Sequence, residues 1–130
     1  MLKIVAAVAA GVVLWVVLAI GIDFCLRTGW PDYAAVEKAM TFTMPMMIAR
    51  LGESTVALVI ASWAAGRIAP GTGTAWGLGI VLFLIFVPIH YSLWSKFPGW
   101  YHAYFLASLL AIPPLVAIVS GGRGTQQAAA

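Results

Sequence analysis

Apolar residues fall into four runs of similar length, separated by short polar breaks. The runs cover about Lys3 to Ile22, Met46 to Gly66, Ala75 to Trp94 and Tyr101 to Ser120. A helix that crosses a membrane needs about 20 mostly apolar residues, so each run predicts one span. The second and third breaks, RIAPGTGT and SKFPG, carry the Pro and Gly of a reversing chain. Backbone in lipid must satisfy its own hydrogen bonds. The predicted fold is therefore an all-α integral membrane protein, a four-transmembrane-helix bundle forming one domain over 1–130.

The first break is longer and holds a further element. In DFCLRTGWPDYAAVEKAMTFTMP, Pro31 and Asp32 suit a first helical turn, and Tyr33, Val36 and Met40 recur at helical spacing. This predicts a short interfacial helix near 31–41, acting as a connector, with Pro45 restarting the chain before the second span. The tail over 121–130 is small and polar and is expected to be mobile. The first run exceeds the roughly 7–15 apolar residues of a signal segment and has no small-residue cleavage site after it, so it reads as a retained helix.

Composition agrees with the pattern. Of 130 residues, 63% are hydrophobic and 8% charged, against about a quarter charged in soluble domains. The net charge of +3 comes from 7 basic and 4 acidic residues. These form no basic stripe, which argues against a nucleic-acid partner. Cys25 is the single cysteine, so neither an internal disulfide nor a cysteine metal cage is available.

An even number of spans puts both termini on one side. That side holds Lys3, Arg67 and Arg123, and the opposite side holds Arg27, Lys38 and Lys96. The positive-inside count is balanced. The short flank at Lys3 and the exposed loop at Arg67 tilt the expectation toward cytoplasmic termini, in a bacterial inner membrane.

Depth along the helices gathers the ionisable groups. Arg50 and Glu53 lie about 6 and 10 Å inside the second run at 1.5 Å per residue. Asp23, His90 and His102 fall at the same end, opposite the termini. Intramembrane ionisable groups usually face a helix interior or a cavity, so these five form a candidate polar site. Positions three apart share a helix face, which predicts an Arg50–Glu53 pair. Below it, Ala57, Ala61 and Ala64 continue a small-residue stripe suited to close helix contact. Ala7 with Gly11, and Gly73 with Gly77, are similar seams.

Tyr91, Trp94, Trp100, Tyr101 and Tyr104 crowd the same end as a candidate aromatic binding surface for lipid, quinone or a partner helix. No catalytic motif is present, which argues against an enzyme, and no cofactor is expected. Haem or a metal at His90 and His102 is a minor alternative, because no ligand motif of defined spacing accompanies them. The leading expectation is an accessory or structural membrane subunit or homo-oligomer, whose partners are the lipid bilayer and other membrane helices. The alternatives are a small solute or ion carrier or channel using Arg50 and Glu53, and a redox or lipid-binding protein using the histidine leaflet.

Overall fold

The computed structural model describes the backbone through residue 129 and the side chains through Gly121. Five helices follow one another in the described residues: α1 Leu2–Gly29, α2 Pro31–Glu37, α3 Met44–Ile68, α4 Thr72–Ser92 and α5 Gly99–Ala129. The four long ones are long and apolar enough to cross a membrane. The tail expected to be mobile lies, past Gly121, outside the residues whose side chains are described.

Helix α1 packs on α3 and α4, and α5 packs on the same two helices. Ile4 of α1 lies beside Gly73 at the start of α4, and Gly121 lines a cleft with Arg67 and Gly71. The two ends of the chain therefore meet at one end of the structure, which we call the near end. The α4–α5 turn and α2 mark the far end.

Each helix boundary has a local cause. Helix α1 runs seven residues past Ile22 to Gly29, so Asp23 lies inside it and does not close it. Arg27 pairs with Asp23 one turn back at 3.0 Å, and the Thr28 hydroxyl donates to the Phe24 carbonyl at 3.0 Å. Trp30 precedes Pro31, a position that disfavours helical backbone, and the helix ends there. Pro31 then opens α2 at its first position. Helix α2 is shorter than expected and ends at Glu37, because Met40 turns the chain with φ 55°. Pro45 occupies the first turn of α3, where its missing N–H costs nothing.

Helix α5 runs through both Pro113 and Pro114. Pro113 has no N–H for the Leu109 carbonyl, four residues earlier. That freed oxygen rests against Gly79 of α4, where an added methyl would lie 2.6 Å from it. Only a glycine allows the approach. The α1 seam is close-packed in the same way: a methyl on Gly11 would meet Leu78 at 3.0 Å and Ala65 at 3.3 Å. Ala7, Ala57, Ala61 and Leu82 are buried beside these contacts.

Candidate functional site

Asp23 is the hub of the far end. Its Oδ1 accepts from the Tyr33 hydroxyl at 2.9 Å and lies 3.7 Å from Arg50 Nη1. Arg50 Nη1 in turn donates to the Tyr33 oxygen at 2.6 Å. Arg27 Nε lies 3.0 Å from Asp23 Oδ2 and 3.5 Å from Glu37 Oε2. The network thus ties α1, α2 and α3 together. The Arg50 guanidinium also lies 4.7 Å from the centre of the Phe42 ring, a cation–π contact.

Tyr33 is fully buried. Burial foremost, with the hydrogen bond to Asp23, raises its pKa above the usual tyrosine value, against the opposing effect of Arg50. It stays a phenol and can donate to Asp23 while accepting from Arg50. Burial and then the nearby Asp23 carboxylate raise the Glu37 pKa above the ordinary carboxylate range.

The expected Arg50–Glu53 pair does not form: Arg50 reaches across to Tyr33 and Asp23. The network is a tertiary one, and it outcompetes the local i,i+3 contact because α2 delivers a phenol and α1 a carboxylate to the same guanidinium. Glu53 makes no ion pair or hydrogen bond among the described residues. It is half-buried and lines a cavity of about 310 Å³.

All four long helices contribute to that cavity. Trp15 and Asp23 come from α1, Arg50 and Glu53 from α3, Phe86 and His90 from α4. Helix α5 adds Tyr101 and Phe105. The aromatic members lean on one another: Trp15 meets Phe86 edge-on at 4.9 Å, and Phe86 meets Phe105 at 5.2 Å between ring centres. Trp15 Nε1, Arg50 Nε and Ser54 Oγ have no hydrogen-bond partner and are themselves covered by protein.

His90 and His102 meet directly, Nδ1 to Nδ1 at 2.7 Å. One ring must carry the hydrogen on Nδ1 and the other must accept it. Both rings are buried, His102 to 1% exposure. Trp94 stacks on His102 at 4.7 Å and Phe105 on His90 at 4.3 Å. Nitrogens at hydrogen-bond distance leave no room for an iron or zinc between them, whose bonds to nitrogen are about 2.0 Å each. Three or more metal-ligating side chains are nowhere grouped among the described residues. The pair does not fit a metal or haem held between its Nδ1 atoms.

The polar residues picked from the sequence therefore divide. Asp23, Arg50, Glu53 and His90 line one cavity, while His102 backs it through His90. The aromatic set divides too. Tyr101 is 5% exposed and turns into the cavity, whereas Tyr91 is 82% exposed and points away. Trp94 covers His102, Trp100 stands partly exposed, and the Tyr104 hydroxyl lies 3.0 Å from that of Thr55 on α3. Of these five, Tyr101 is the one that lines the cavity.

Sequence reasoning missed Tyr33, Glu37, Trp15, Phe86 and Phe105 as site residues. Tyr33 had a signal, since it recurs on the α2 face that turns toward α3. The three rings sit in ordinary apolar runs and carry none. No protein family, curated protein or solved structure matches this chain.

Proposed function

We propose that the chain is a bacterial inner-membrane protein that binds a small solute within its helix bundle and carries it. In this reading α2 lies at the membrane interface and both termini face the cytoplasm. The convergence of all four long helices on a single cavity lined by charged and aromatic side chains carries the reading. Binding pockets of this kind are mostly apolar, with a few placed polar groups. Asp23 and Arg50 hold their positions through a hydrogen-bonded network, so the cavity wall is preorganised.

The small-residue seams suited to close helix contact are filled inside the chain, Gly11 by Leu78 and Ala65 and Gly77 by Val8. This disfavours a homo-oligomer built on those seams. An accessory subunit in a larger membrane assembly is the second reading, supported by the exposed rings of Tyr91, Trp94 and Trp100 at the far end.

Native mass spectrometry of protein purified in mild detergent tests the two. A co-purifying small molecule that Ala19→Phe displaces, by filling the cavity, supports the carrier. A stoichiometric partner chain with no small molecule supports the subunit. A reporter active only in the periplasm should stay silent after Ala130 and be active near Gly29.

A further inference from the structure

Three carboxylates and two guanidiniums line the cavity: Asp23, Glu37 and Glu53 against Arg27 and Arg50. Both guanidiniums are engaged with Asp23, at 3.0 and 3.7 Å. Glu53 is left without a counter-ion among the described residues. The unpaired donors of neighbouring lining residues are covered by protein, so Glu53 is the uncompensated charge that the cavity presents. A carboxylate in an apolar surrounding is costly unless a cation pairs with it or a proton neutralises it.

The wall beside it is aromatic. Trp15, Phe86, Phe105 and Tyr101 line the same space. Ring faces attract a cation, most strongly when water is excluded, and cages of such rings suit organic ammonium groups. A bare metal ion would lose its hydration shell here without gaining the six or more oxygen ligands that a hard cation requires. An anion would face Glu53 directly.

We propose that the cavity takes a small monovalent organic cation, with Glu53 as its counter-ion and the Trp15–Phe86–Phe105 cluster as its apolar wall. This rests on the carrier reading and names the class of solute. A volume of about 310 Å³ suits a single substituted ammonium or a compact aromatic amine.

The test uses full-length protein in nanodiscs of zwitterionic lipid, with protein-free nanodiscs as the blank. Equilibrium dialysis measures the binding of benzyltrimethylammonium, neutral benzamide and anionic benzenesulfonate. The cation should bind at least about tenfold more tightly than either of the others, a preference near 1.4 kcal/mol. Glu53→Gln should remove that preference, and Glu53→Asp, which keeps the charge, should retain most of it. Thermal unfolding of each variant checks that it is folded. If benzamide or benzenesulfonate binds as well as the cation, or Glu53→Gln leaves cation binding unchanged, the inference is overturned while a solute cavity stands. If the wild type binds no cation, the inference is likewise overturned. The carrier reading then depends separately on whether Ala19→Phe displaces the co-purifying molecule.

Discussion

The small-residue seams of the near half and the aromatic interior of the far half join the same helices on opposite plans. Beside those seams a cleft lined by Arg67, Gly71 and Gly121 opens at the near end. In the near half, Gly11, Gly77 and Gly79 let backbones approach until Leu78, Val8 and Leu109 fill the gap. In the far half, Trp15, Phe86, Phe105 and Tyr101 stand between the helices, and a cavity opens among them. Lipid supplies no hydrophobic drive between helices, so contact area decides where they close. Small residues bring helices together, and large rings that meet edge-on hold them apart. The clamped half fixes the geometry, and the propped half is free to present chemistry.

The largest expected effect breaks the clamp. Gly79→Val places a branched side chain against the Leu109 carbonyl, which is backbone and cannot step aside. Overpacking of this kind should cost about 3 kcal/mol, read as a loss of thermal stability in detergent. A variant that unfolds at the wild-type temperature would show that the near half is not clamped.

Next comes the network that braces the far half. Arg50→Met leaves Asp23 without its partner from α3 and should cost about 2 kcal/mol, a figure reduced because the arginine side chain is 28% exposed. Tyr33→Phe removes two hydrogen bonds and should cost about 1–2 kcal/mol. Chemical denaturation of the two variants would rank them, and equal stability with wild type would deny the network any bracing role.

A smaller effect sharpens the contrast. Ala19→Phe adds a ring to the open half and should leave stability unchanged or raise it by about 0.5–1 kcal/mol, as cavity filling does. The same kind of enlargement is therefore tolerated at Ala19 and damaging at Gly79. A large loss at Ala19 would mean that the far half is as tightly packed as the near half.

The smallest effect concerns pH. Burial and Asp23 raise the Glu37 pKa in the folded chain. The folded state thus holds that proton more tightly than the unfolded chain, and the associated stability is present at low pH. It is lost as pH rises above about 4.3, the ordinary glutamate value. Glu37→Gln should flatten that slope in thermal unfolding measured between about pH 4 and 6. A slope of the opposite sign would mean that the Arg27 contact dominates.

Much of this was legible in the chain. The four runs, their turns and the shared depth of Asp23, Arg50, Glu53, His90 and His102 follow from length, periodicity and Pro–Gly breaks. The partners of Arg50 do not. Periodicity reports neighbours on one helix, such as Glu53, whereas Tyr33 and Asp23 reach Arg50 only once α1, α2 and α3 have packed. The course of α5 through Pro113 and Pro114 was hidden for a related reason. Proline weakens its own helix, and the receiving Gly79 lies on another.

The contact between His90 and His102 imposes an exclusion rule on charge. One hydrogen between two Nδ1 atoms serves when both imidazoles are neutral, provided they are opposite tautomers. It serves again when a single imidazolium donates to a neutral ring. With both rings charged, each Nδ1 carries a hydrogen and the 2.7 Å contact becomes a clash. The contact has room for one hydrogen between the two Nδ1 atoms and not for two, so a second requires the rings to separate.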